Sequence, residues 1–351
     1  MSRLQAQIRV LIVDDSVVMR RVVAKALLRD PSIAGTDYAV NGALALKKIA
    51  ERRPDVVVLD IEMPVLDGFQ TLREIRRTDA QLPVVLLSGI DERVAAATLD
   101  ALSLGVTDFV VKPSGGGIAD AEAYISRHLT PLLLALAAPR TVARAATPQS
   151  DGTSGRRRVE AVVVGTSTGG PDALADLLRG LPAELPVPFL VVQHMPATFT
   201  RLLAERLHRA GGLAVREAEH GELIQASTVY IAPGDRHLEL AREGSEVRAV
   251  LGAGPPENFC RPAADVLFRS AADVYGPGTL ALVLTGMGRD GLRGCQCVRT
   301  AGGQVLVQDP ATAVIGSMPT AVLDAGLADA ALSLDLLARE LVHRVAPVTT
   351  P

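Results

Sequence analysis

The chain has 351 residues, 48% of them hydrophobic and 21% charged, with a formal net charge of -3 and three cysteines. That length suits two domains of ordinary size, the balance is that of a packed protein and not a disordered one, and three cysteines exclude a disulfide framework. The small negative charge gives no global attraction to nucleic acid phosphates, and the most apolar stretch, residues 129–138, is broken by Thr130 and Pro131 and falls far short of the ~20 residues a bilayer span needs.

Strand candidates in the first part of the chain are residues 8–13, 37–40, 56–59, 84–87 and 107–111. Each is followed by helix-period sequence, as where Val18, Val22 and Ala26 share one face after the N-cap candidate Ser16. Five strands alternating with five helices predict a doubly wound parallel sheet, whose ligand site lies beyond the carboxyl ends of the strands. The acidic pair Asp14 and Asp15 follows the first apolar run with no small-residue cleavage site before it, so the expected location is the cytoplasm, with reduced thiols.

A glycine run at 115–117 and an Ala/Leu helix lead to a Pro, Thr, Ser and Gly-containing stretch that reads as an exposed linker. A second α/β series follows, with strands expected at 162–164, 189–192, 229–231, 280–284 and 305–307. Aromatic residues make up 3% of the chain and Trp is absent, so the cores must be built from Val, Leu, Ala and Ile, which suits parallel sheets. The expected organisation is a domain over 1–138, a linker over 139–158 and a second domain over 159–345.

Three carboxylates fall at strand ends of the first series: Asp14 and Asp15 after the first strand, Asp60 after the third. Converging on one crevice, they would repel unless a cation sat among them, and hard oxygen ligands suit magnesium. Ser88 and Lys112 end two further strands, where a hydroxyl and an ammonium could hold phosphoryl oxygens on Asp60.

In the second series the first strand runs into GTSTGG, residues 165–170, and Pro171 opens a helix. A serine on a glycine turn between strand and helix is exposed, and nearby N–H groups and the helix dipole can stabilise an oxyanion. Ser167 is therefore a candidate nucleophile, His194 in LVVQHMP its candidate base, and Asp290 in TGMGRDG the candidate orienting carboxylate. The chain order Ser, His, Asp differs from the Ser, Asp, His order of α/β-hydrolases. GMGRDG also fits a dinucleotide fingerprint, with Asp309 beyond the next strand, but that reading leaves Ser167 and His194 unexplained.

The first domain closely resembles the response regulator receiver family, through LIVDDS (11–16), VVLDIEMPVLDGF (57–69), LLSG (86–89) and DFVVKP (108–113). The resemblance implies a flavodoxin-like fold, Asp60 as phosphoacceptor, and magnesium held by Asp14, Asp15 and Asp60 with the Glu62 carbonyl. It also implies phosphoryl contacts from Ser88 and Lys112, and Phe109 as an aromatic switch.

The second domain resembles the catalytic domain of chemotaxis receptor methylesterases, through VGTSTGGPDAL, VVQHMP, YIAPGDRHL, RPAADVLF, LTGMGRDGLRG and GSMPTAV. It implies a Rossmann-like parallel sheet and phosphorylation-activated hydrolysis of glutamate methyl esters, with deamidation of glutamines as a second activity and no cofactor for the hydrolysis. The triad would be Ser167, His194 and Asp290, with Thr168 near the site and the Met287 N–H as oxyanion donor. Implied partners are methylated chemoreceptor cytoplasmic domains and a chemotaxis histidine kinase, without nucleic acid and without membrane insertion. Ala263 and Ser317 stand where the resemblance leads one to expect Ser and Gly, which bears on local loop geometry and leaves the triad untouched.

Overall fold

Val56, Val57, Val58 and Leu59 are all fully buried, as a strand covered on both faces requires. Such strands form the centres of two sheets. The computed structural model describes residues 7–138 and 158–346, and the chain divides into two compact units, Met1–Arg140 and Thr141–Pro351. The linker expected over 139–158 lies, apart from Arg158, outside the described residues.

The first unit runs β1 (Ile8–Val13), α1 (Val17–Leu27), β2 (Ile33–Ala39), α2 (Gly42–Glu51), β3 (Val56–Asp60), α3 (Gly68–Thr78), β4 (Val84–Ser88), α4 (Glu92–Ser103), β5 (Asp108–Val111) and α5 (Ile118–Ala137). Its sheet is parallel throughout, in the order β2-β1-β3-β4-β5, the flavodoxin-like arrangement with its switch point between β1 and β3. Side chains start the helices: Ser16, Asn41, Asp67 and Asp91 each accept a first-turn N–H. β2 starts at Ile33, ahead of the expected 37–40. It is an edge strand with Gly35, Thr36 and Asp37 partly or fully exposed, so its first half carries no apolar run.

The second unit runs β6 (Ala161–Thr166), α6 (Gly170–Arg179), β7 (Phe189–Gln193), α7 (Ala197–Ala210), β8 (Ala214–Glu217), β9 (Thr228–Ile231), β10 (His237–Glu243), β11 (Glu246–Gly252), α8 (Ala264–Tyr275), β12 (Thr279–Val283), α9 (Leu292–Thr300), β13 (Gln304–Gln308), α10 (Ser317–Asp324), β14 (Ala330–Leu332) and α11 (Leu334–Val345). Seven strands form a parallel sheet in the order β14-β13-β12-β6-β7-β9-β8, and β10 and β11 form a separate antiparallel hairpin.

Four strands are absent from the sequence reading: β8 and β14, which are the sheet edges, and the hairpin pair β10 and β11. β8 alternates exposed Ala214 and Arg216 with buried Val215, and β14 spans three half-buried residues. The hairpin turns at Gly244, whose φ of 62° suits glycine. Leu238, Leu240, Val247 and Ala249 lie on its buried side and join a core cluster with Phe268 and Leu267 of α8.

Candidate active site

β12, β6 and β7 are neighbours at the middle of the larger sheet, with Gly165 paired to Val283 on one side and Val192 on the other. Chain order leaves β6 in opposite directions, so a crevice opens beyond its carboxyl end. Ser167 follows β6, His194 follows β7, and Asp290 lies in the loop after β12. All three sequence-predicted residues thus stand at adjoining strand ends.

Backbone contacts fix the serine turn. The Ser167 N–H donates to the Thr285 carbonyl (3.0 Å), and the Ser167 carbonyl accepts from the Gly170 N–H (2.8 Å) and from Gln193 Nε2 (2.9 Å). A Cβ on Gly170 would collide with Gln193 Oε1 and Thr166 Oγ1, and one on Gly286 would lie 2.8 Å from the Ser167 Cβ. The loop after β12 therefore packs its backbone at Gly286 directly on the serine, and Met287 is the next residue. Among the described residues the N–H groups of Thr168, next to Ser167 in the chain, and of Met287, next to Gly286, donate no hydrogen bond. They are free to receive an oxyanion.

His194 Nε2 is 2.8 Å from Asp290 Oδ2, and Asp290 is 2% exposed. The carboxylate is also held by the Ala264 N–H (2.6 Å), the Asp265 N–H (3.1 Å) and Asn258 Nδ2 (2.9 Å). The first two open α8, so Asp290 caps that helix at its positive end. Burial pushes the Asp290 carboxyl up, but the His194 hydrogen bond and charge and these N–H donors outweigh it and hold it below the ordinary value. For His194, burial works against the imidazolium, yet Asp290 and the neighbouring Cys260 sulfur prevail and raise its pKa.

With Nε2 committed to Asp290, Nδ1 is the nitrogen left to act as base. Cys260 Sγ lies 3.5 Å from it, and Ser167 Oγ makes no hydrogen bond to it among the described residues. Catalytic hydrogen bonds of this kind often tighten only when substrate is bound.

At the other site, Asp14 is fully buried, Asp60 is 4% exposed and Asp15 is exposed. One ligand oxygen from each lies within 4.8 Å of the others. Lys112 Nζ lies 2.7 Å from Asp60 Oδ2 and 3.4 Å from Asp14 Oδ2, yet Asp14 Oδ2 is buried without a hydrogen-bond partner. That orphaned hard oxygen, between two further carboxylates, fits a magnesium ion. Burial raises the Asp60 pKa despite Lys112, so a cation among the acids would favour the ionised form. Burial also opposes the Lys112 charge, but the Asp60 hydrogen bond and charge outweigh it and raise its pKa.

The Glu62 side chain turns to Arg93 (3.1 Å), which leaves its backbone carbonyl for the metal role implied by resemblance. Ser88 is fully buried with its hydroxyl shared with Thr98 (2.6 Å), and Phe109 is half-buried on β5.

Residues 162–341 match the CheB methylesterase family and residues 10–118 the response regulator receiver domain. A protein-glutamate methylesterase/protein-glutamine glutaminase of Trichodesmium erythraeum is 45% identical over 347 residues, covering 96% of this chain and 99% of that protein. The chain belongs to the CheB methylesterase family. A relative of the same name from a Nocardioides species is 47% identical, covering 97% and 96% of the two chains. The crystal structure of the Thermotoga maritima CheB methylesterase catalytic domain superposes with a TM-score of 0.52 at 41% identity, covering 53% of this chain and 99% of that one.

Within this CheB methylesterase frame, the two departures acquire physical accounts. Ala263 precedes α8 and offers no side-chain cap; the Asp290 carboxylate takes the helix N–H groups instead. Ser317 Oγ accepts from the Gly288 N–H (3.0 Å) and donates to the Gly286 carbonyl (3.0 Å). Its side chain thereby bridges the residues on either side of Met287. Asn258 and Cys260 were not singled out as site residues from the sequence. Gln193 lies within VVQHMP, and its contact with the serine turn has no sequence signal beyond its place next to His194.

Proposed function

We propose that the second unit hydrolyses glutamate methyl esters on chemoreceptors, deamidates receptor glutamines at the same site, and is activated by phosphorylation of Asp60 in the first unit. The observation that carries the proposal is the 2.8 Å pairing of His194 Nε2 with Asp290, set at the strand ends beside the Ser167 turn.

Ser167 Oγ attacks the ester carbonyl carbon while its proton passes to His194 Nδ1, and Asp290 stabilises the imidazolium from the other side of the ring. The carbonyl oxygen becomes an oxyanion facing the Met287 and Thr168 N–H groups. Collapse of this intermediate breaks the bond to the methoxy oxygen, which takes the proton from His194 and leaves as methanol. Water then attacks the acyl-serine with the same base, releasing the glutamate carboxylate and restoring Ser167. With a glutamine side chain the leaving group is ammonia.

In the first unit Asp60 accepts a phosphoryl group from a chemotaxis histidine kinase, Lys112 and Ser88 contact its oxygens, and Phe109 responds as the switch. Magnesium held by Asp14, Asp15, Asp60 and the Glu62 carbonyl would offset the phosphoryl charge. Action on receptors from the cytoplasmic side is part of the proposal; among the described residues no helix is long and apolar enough to cross a membrane.

The test uses membranes carrying methyl-labelled chemoreceptors, with volatile methanol as the readout. The full chain releases methanol, and acetyl phosphate with magnesium raises the rate. Asp60→Asn keeps the basal rate and ignores acetyl phosphate, because the amide cannot accept the phosphoryl group. A variant that still responds would remove Asp60 from its role, and absence of methanol from the wild type would refute the substrate.

A further inference from the structure

Glu257 and Cys260 exchange two backbone hydrogen bonds, 3.1 and 2.8 Å, and close a turn whose two central residues, Asn258 and Phe259, have φ of 50° and 65°. Positive φ at both central positions is the geometry of a type I′ turn, in which asparagine suits the first position and glycine the second. Here the second position holds phenylalanine, an aromatic side chain in a backbone region that disfavours it. Nothing in the fold is gained in exchange, since Phe259 is 97% exposed. A strained residue with no packing role points outward, to a function at the site.

The neighbours of Phe259 define that site. Asn258 Nδ2 donates to Asp290 Oδ1 (2.9 Å) and to Asp265 Oδ2 (2.8 Å), and Cys260 Sγ lies 3.5 Å from His194 Nδ1. The ion pair of Glu257 with Arg269 of α8 (2.7 Å) anchors the base of the turn. One rigid turn thus has two side chains touching the His194–Asp290 pair and a third, between them, offered bare to solvent.

We propose that Phe259 docks the polypeptide that carries the scissile ester, by covering an apolar side chain adjacent to the modified glutamate. The proposal rests on the esterase reading and adds how a protein substrate is distinguished from a small ester. A free ester has no flanking side chain for the ring to cover. A polypeptide does, and burying a phenyl group against it supplies binding that the reacting atoms do not.

The experiment compares the full chain and Phe259→Gly, with acetyl phosphate present, on methyl-labelled chemoreceptor membranes and on N-acetylglutamate γ-methyl ester. Glycine is the residue the turn favours, so the variant should melt no lower than the wild type. The expected result is a KM for receptor membranes raised about tenfold with kcat little changed, a much smaller effect on the small ester, and recovery in Phe259→Leu. An unchanged KM for receptor membranes overturns the proposal, and so does an equal loss on both substrates, which would make Phe259 a support of the turn. If the wild type cleaves the small ester and releases nothing from receptor membranes, the substrate reading itself fails and the docking role falls with it.

Discussion

Replacing Ser167 with alanine removes ester hydrolysis, by a factor on the order of 10^4 or more in kcat, in a protein that remains folded. The loss follows from the missing nucleophilic oxygen. Retention of the fold follows from how the turn is held: the Ser167 backbone bonds to Thr285, Gly170 and Gln193, while its hydroxyl makes no hydrogen bond among the described residues. Deleting that oxygen leaves no buried group unpaired and only a small change in volume. Circular dichroism and the melting temperature should match the wild type while methanol release disappears. Near-normal turnover in a folded variant would transfer the nucleophile's role elsewhere, and Cys260, beside the same imidazole, would be the first group to examine.

His194→Ala should fall to a similar level, because it removes the nitrogen proposed to take the serine proton. Asp290→Asn should be milder, on the order of 10^3 to 10^4; the asparagine variant is preferable to alanine because its side-chain oxygen can still cap α8. The pair also sets the pH dependence. His194 must be neutral to act as base, and its partners raise its pKa above the ordinary 6.5. The kcat/KM of the wild type therefore rises with pH along a limb lying above that value. Removing the Asp290 charge lowers the histidine pKa, so the residual activity of Asp290→Asn should reach its plateau at lower pH. A limb that moves upward, or effects that are small and equal at the two positions, would contradict the pairing.

The legible part of this protein is the part governed by strand ends. In a parallel sheet the crevice lies beyond the carboxyl ends, and short β-branched runs mark those ends in sequence, so Asp14, Asp15 and Asp60 could be grouped, and likewise Ser167, His194 and Asp290, before any tertiary contact was known. The receiver helices were legible for a related reason, as helix-period runs follow the strands and Ser16 is a local cap signal. What escaped depends on long-range closure. The turn at 257–260 reaches the site because its backbone takes positive φ and because Asn258 finds Asp290 and Asp265, and no periodicity announces either event. The edge strands β8 and β14 escaped because they are short and partly exposed, and the β10–β11 hairpin escaped as well, although buried Leu238, Leu240, Val247 and Ala249 alternate on either side of Gly244. GMGRDG illustrates the limit of a short motif: its Asp290 is buried against His194 and the start of α8, a placement unrelated to a dinucleotide fingerprint.

The central claim, a covalent hydrolysis on Ser167 using His194 Nδ1, is tested most directly by locating the acyl group. The full chain, activated with acetyl phosphate, is mixed with N-acetylglutamate γ-methyl ester, quenched in acid within the first turnover and digested for mass spectrometry. The account predicts a glutamyl ester on the peptide containing Ser167, formed with an equal amount of methanol and absent from Ser167→Ala. A thioester on Cys260, or methanol released at full rate by Ser167→Ala, would contradict it.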